Sequence, residues 1–184
     1  MENIYNQKFE RIESLTLAEY ESCTFESVDF TKQNLNGFSF IDCVFNNCNL
    51  DMVEVGNTAF KHVKFFDCKL LGIRFDTCSP FLFQVEFESC YLNLASFYKM
   101  KIRKAIFKNC SLVETDFAQA HLVEADFSES DLRRAIFQQT NLEKANFNSA
   151  KDYNIDPENN NIKKAKFSVP GVFGLLEKYN IVIK

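Results

Sequence analysis

The chain has 184 residues, 46% hydrophobic and 25% charged, with a formal net charge of −4, proportions that suit a single folded domain. A pI near 5.3 argues against direct nucleic-acid binding. No stretch is long and apolar enough to span a membrane, and Met1 to Lys8 lacks the apolar segment of a secretion signal.

Residues 1–19 carry Phe9, Ile12, Leu15 and Leu17 in weak periodicity and are expected to form an N-terminal cap or first coil. From residue 20 a period of five takes over. Phe25, Phe30, Leu35, Phe40, Phe45, Leu50, Val55, Phe60, Phe65, Leu70 and Phe75 follow one another at five-residue intervals. A helix needs a period near 3.6 and a strand a period of 2, so five fits a chain that turns a corner once per repeat, a solenoid. The second residue before each centre is small or compact, as at Cys43, Thr58, Ala95 and Ala125. Two of every five residues thus point inward, and the polar remainder faces water.

Seven residues, not five, separate Phe75 from the next apolar centre in phase, Leu82, so the pattern slips over 76–82. Pro80 removes a ladder donor. Ser79, Pro80 and Phe81 are therefore expected in a bulge or small outward loop, either a candidate recognition feature or a tolerated corner insertion. The period resumes through Phe87, Phe97, Phe107, Phe117 and Phe127 to Phe147.

Six of the seven cysteines occupy the small inward position, and Cys78 falls there if the first phase continues. None has the paired spacing of a zinc site. They read as buried structural thiols, and an odd number of unpaired cysteines favours a reducing cytoplasm. His62 and His121 lie at outward positions with no nucleophile or acid arrayed beside them, and the five glycines form no phosphate loop. Neither catalysis nor a cofactor or metal is expected.

Past Phe147 the pattern lapses over 151–161, yet Ile162 and Phe167 keep its phase, the mark of an excursion rather than a linker. Pro170 to Tyr179 reads as a short helix and Asn180 to Lys184 as a strand, so 168–184 is expected to cap the solenoid.

Stretches such as Ala125-Asp126-Phe127-Ser128-Glu129 and Ala145-Asn146-Phe147-Asn148-Ser149 resemble the pentapeptide-repeat family, over roughly residues 20–167. The resemblance implies an all-β fold, a right-handed quadrilateral parallel β-helix with four repeats per coil. About seven coils at the spacing of parallel strands then make a rod on the order of 33 Å long. Residues twenty apart stack, which places Phe107, Phe127 and Phe147 in one column and Cys48, Cys68, Cys90 and Cys110 in another once the slip is counted. Lys104, Glu124 and Lys144 form an alternating outer column, with Glu114 below Arg134.

The tail, and the Asp152 to Asn159 run before it, resemble the microcin-immunity and quinolone-resistance branch. There a terminal helix and strand make a homodimer, which implies an interface of Phe173, Leu175, Leu176, Tyr179, Ile181 and Ile183; a monomeric cap is the alternative. The same branch implies binding to DNA gyrase or topoisomerase IV by mimicry of DNA shape and charge, with Glu114, Asp116, Glu124, Asp126, Glu129 and Asp131 as candidate partner-facing acids. Asp116 has Ile136 above it and Asp126 has Asn146, so these acids form no unbroken stripe. Residues 1–60 hold ten acids and three bases, net −7, and 61–184 hold fifteen acids and eighteen bases, net +3; the negative field concentrates at the N-terminal end. A structural scaffold with a different protein partner is the competing reading.

Overall fold

The computed structural model describes residues 2–182, and in it the chain winds into a parallel β-solenoid of about eight turns. Its strands are Glu2–Tyr5 (β1), Lys8–Glu10 (β2), Ala18–Glu21 (β3), Thr24–Glu26 (β4), Ser39–Ile41 (β5), Val44–Asn46 (β6), Ala59–Lys61 (β7), Val63–Phe66 (β8), Val85–Glu88 (β9), Ile106–Lys108 (β10), Asn146–Phe147 (β11) and Lys166–Phe167 (β12). One side carries the sheet β1-β3-β5-β7 and the next carries β2-β4-β6-β8-β9-β10. Phe25 faces Phe45 and Phe45 faces Phe65, so one coil takes twenty residues, or four repeats. Isolated parallel bridges such as Asn49 to Lys69 and Asp116 to Ile136 continue the same register on the other two sides.

The repeat of five is an extended stretch plus a corner. At most corners the second residue after the centre enters the left-handed region, as at Lys104 (φ 60°), Glu124 (φ 61°) and Glu129 (φ 63°). That conformation is costly for a residue with a Cβ. It is held because the same amide reaches the next coil: Lys104 N–H donates to Val123 O at 2.9 Å and Glu124 N–H to Glu143 O at 2.8 Å.

Inside, the aromatic centres stack coil upon coil. Phe107 and Phe127 lie 5.2 Å apart at 6°, Phe127 and Phe147 4.8 Å apart at 10°, and the neighbouring column of Phe97, Phe117 and Phe137 meets them edge-on. The small inward position has a second property that its size does not reveal. At most positions where it carries a donor, it satisfies the carbonyl of a centre one coil below. Thr58 donates to Leu35 O, Thr115 to Leu92 O, Ser130 to Phe107 O and Thr140 to Phe117 O, all between 2.6 and 2.9 Å. Cys68 and Cys90 do the same through sulfur, to Phe45 O at 3.3 Å and Phe65 O at 3.4 Å. The thiols therefore pack as small apolar groups with a weak donor.

All seven cysteines are buried and free. Burial pushes the Cys43 thiol up to about 12 and raises Cys78 as well. A reagent must reach the sulfur, and all seven are enclosed, so the native protein is expected to show no reaction with a thiol reagent until denaturant unfolds it; fast labelling of native protein would contradict this core.

Three departures from the sequence reading have physical causes. Leu82 is not an inward centre: it sits at φ 56° and is 60% exposed, and Phe83 takes its place in the core. The Phe83 ring meets Phe60 at 6.2 Å and Phe75 at 6.0 Å, both edge-on, filling the column below Ile102. Phe65 consequently faces Phe87, twenty-two residues on. The lapse over 151–161 adds no residues, since Phe147 still faces Phe167. Its inward residues are Tyr153 and Ile155, while Asp152, in phase, is exposed. At the C-terminus, Pro170–Val172 and Glu177–Tyr179 are 3-10 turns flanking one α-turn, Phe173–Leu176 (α1). The expected strand is absent over 180–182, where Asn180 turns left-handed at φ 49°; residues 183 and 184, including Ile183, lie outside the described residues.

Candidate partner-binding surfaces

With the interior filled, the outside of the rod is what remains to meet a partner, and three surfaces were legible as candidates. The six acids do not share a face. Asp126 lies on the side of Phe127, Asp131 on the side of Leu132 and Asp116 on the side of Phe117, with Glu124, Glu129 and Glu114 at three corners. Most are already engaged. Glu124 meets Arg103 at 2.5 Å, Lys104 at 3.8 Å and Lys144 at 3.9 Å, the ladder expected from the twenty-residue stack with Arg103 added. Desolvation pushes its carboxyl up, but the hydrogen bond and charge of Arg103 outweigh this and set it below the ordinary range. Arg134 holds Glu114 at 2.5 Å and Arg133 holds Asp131 at 2.7 Å. Asp116 accepts from Ala118 N–H, and Asp126 from Ser128 N–H and Asn146 Nδ2, bonds that shape the next corner. Of the six, Glu129 is exposed and in no ion pair among the described residues.

The insertion does project. Ser79 N–H still donates to Thr58 O and Gln84 N–H to Phe60 O, so the chain leaves the ladder between them. Phe81 at its tip is 67% exposed, with Lys61 Nζ 5.9 Å from its ring centroid.

The tail folds onto its own last coil. Gly174 O accepts from Ile155 N–H at 3.0 Å, and Lys178 lies 2.6 Å from both Asp156 and Glu158, while Tyr179 Oη donates to Glu158 at 2.8 Å. Gly171 and Gly174 lie against Tyr153, whose hydroxyl is buried without a partner. Among the residues expected at a dimer interface, Leu175 packs on the chain's own core and Leu176 is half-buried; Phe173, Tyr179 and Ile181 remain about half exposed. The tail's glycine pair, three residues apart, and its Lys178 were missed in the sequence.

Lys178 holds the Asp156 and Glu158 carboxyls below their ordinary values of 3.8 and 4.5. A lowered folded value contributes stability above the ordinary one and loses it as pH falls through the folded one. The tail is thus expected to loosen in acid before the solenoid does, read as faster amide exchange at 173–180; acid-insensitive exchange there would contradict the ion-pair clamp.

Fold and surface together define a four-sided repeat solenoid with a solid core and a self-docked tail. A model of the pentapeptide repeat region matches residues 18–79 and 81–167, breaking at Pro80 in the projecting loop, and the chain belongs to the pentapeptide-repeat family. No curated protein matches it at the sequence level. Among solved structures, two trypsin-treated forms of QnrB1, a plasmid-mediated fluoroquinolone resistance protein, cover all of this chain. One gives a TM-score of 0.59 at 18% identity over 98% of its own length, the other 0.60 at 17% over 99%. HetL, a pentapeptide repeat protein of heterocyst differentiation regulation from the cyanobacterium Nostoc, gives 0.52 at 15% identity, covering 91% of this chain and 84% of its own.

Proposed function

We propose that this protein is a non-enzymatic binding protein that engages a type II topoisomerase, DNA gyrase or topoisomerase IV, and protects it from a poison such as a fluoroquinolone or a microcin. The observation that carries the reading is the end-to-end likeness of its fold to QnrB1, tail included. The rod offers a DNA-like outline, and the exposed tail residues Phe173, Tyr179 and Ile181 are candidates for a homodimer contact. Buried free thiols suit a reducing cytoplasm. Because Glu114, Glu124 and Asp131 are neutralised within the chain, shape contributes more to such mimicry than these six carboxylates do.

That internal pairing also favours a second reading, an interaction scaffold for another protein, as HetL, a protein involved in heterocyst differentiation regulation, shares the fold. A gyrase supercoiling and cleavage assay, with protein titrated in the presence of a fluoroquinolone or a gyrase-directed microcin, separates the two. Restored supercoiling with fewer trapped breaks is expected; no effect on either transfers the function to the scaffold reading. Charge reversal at Glu124, Asp126, Glu129 and Asp131 is expected to weaken gyrase binding only slightly, and a large loss would restore those acids as the contact.

A further inference from the structure

The two ends of the solenoid are finished differently. At the C-terminal end the tail covers the last coil; at the other, among the described residues, β1 pairs only with β3 and β2 only with β4. The first coil is also short, since Glu2 faces Ala18 and Lys8 faces Thr24, sixteen residues on. Which backbone groups are left over follows from the coils above. In each, the residue before a centre turns both polar groups toward the preceding coil: Lys69 N–H donates to Cys48 O, and Lys69 O accepts from Leu50 N–H. Thr24, in register with Lys8, donates to Gln7 O, and Ala59, in the column of Asn3, donates to Phe38 O. Asn3 and Lys8 therefore turn N–H and C=O away from the protein, and half the bonding capacity of both strands is unspent. Beneath that edge Ile4, Phe9, Ile12 and Leu15 are only partly buried, though Phe9 stacks on Phe25 at 5.2 Å.

Charge selects the occupant. Residues 1–30 hold seven acids and two bases, net −5, and among the described residues only Glu10 of the seven has an ion-pair partner, Lys8. Farther along the rod eight acids, among them Glu88, Glu114 and Glu124, are held in ion pairs. A second copy would bring two such ends together and is opposed by like charge, whereas a basic segment is drawn in.

We propose that the first coil is a docking edge that adds an extended, basic segment of a partner protein as one more rung. The segment alternates apolar residues, laid over Ile4 and Phe9, with lysine or arginine directed at the acidic rim. The inference does not depend on the topoisomerase reading; it holds whichever protein supplies the strand.

The test uses the full chain and a labelled peptide of alternating valine and lysine, followed by fluorescence anisotropy and amide exchange. Expected are saturable binding, slowed exchange at Asn3 and Lys8, and about tenfold weaker binding both to Glu13→Lys/Glu21→Lys and in high salt. Asn3→Pro and Lys8→Pro remove only outward donors and are expected to abolish the anisotropy rise on peptide addition while circular dichroism stays unchanged. Equal binding of a proline-interrupted peptide of the same charge would overturn strand addition, as would protection elsewhere on the rod. Concentration-dependent protection of Asn3 and Lys8 without peptide would assign the edge to a second copy instead and overturn the basic-segment proposal.

Discussion

Phe127→Ala is expected to destabilise the solenoid by about 3–5 kcal/mol, the range for deleting a buried ring whose surroundings do not collapse. Phe127 has no solvent exposure. It is stacked between Phe107 and Phe147 and met edge-on by Phe117 at 5.6 Å and Phe137 at 6.0 Å, so four rings lose a partner at once. The neighbours cannot close the gap, because they are fixed by coil-to-coil bonds such as Phe107 N–H to Asp126 O at 2.7 Å and Phe117 N–H to Ile136 O at 2.9 Å, and the cavity stays open. Denaturant unfolding followed by far-ultraviolet circular dichroism reads the loss as a lower midpoint. A shift corresponding to less than about 1 kcal/mol would mean that the ring does not hold the layers together. Since each coil contacts mainly its neighbours, the loss is also expected to split the transition, with the coils around Phe127 opening first.

Gly174→Ala is expected to release the tail. A Cβ there would lie 2.1 Å from the Tyr153 carbonyl oxygen and 2.8 Å from its ring. Alanine favours a helix by roughly 1 kcal/mol over glycine, but the obstructing atom belongs to the backbone of the last coil and has no rotamer to escape through. The clash outweighs the propensity, with a cost of about 1–3 kcal/mol falling on tail docking. Limited proteolysis is expected to cut the variant near Lys178 while the solenoid remains intact, and amides at 155 and 173–180 to exchange faster. A variant as resistant as the parent would show that the tail tolerates a shift of its first turn and that Tyr153 is not its seat. Gly171 sets a second check, as its Cβ would lie 2.1 Å from the Tyr153 hydroxyl.

The site was less legible than the fold. The stack of Arg134 over Glu114 was legible and is observed, whereas the pairings of Arg103 with Glu124 and of Arg133 with Asp131 were not. Linear order says which residues stack, as it did for Lys104, Glu124 and Lys144, but not which long side chain bends toward which carboxylate. Leu82 misled for a related reason. After an insertion the chain re-enters at the residue whose ring fits the vacant column, and the Phe83 ring fills it where a phase count arrives at Leu82.

The spacing of apolar residues by itself determined the repeat, the inward register and the burial of the cysteines, because a layered core admits only residues that recur in step with its coils; the stacking of residues twenty apart came with the family resemblance. Packing in three dimensions decided the rest. It set which residue fills the core after the insertion, that Tyr153 and Ile155 turn inward in the last coil, and that the tail lies on its own chain through two glycines. It also left the first coil, among the described residues, with an unpaired edge. Each of these depends on contacts between segments whose separation has no fixed period, and a periodic pattern carries no information about them.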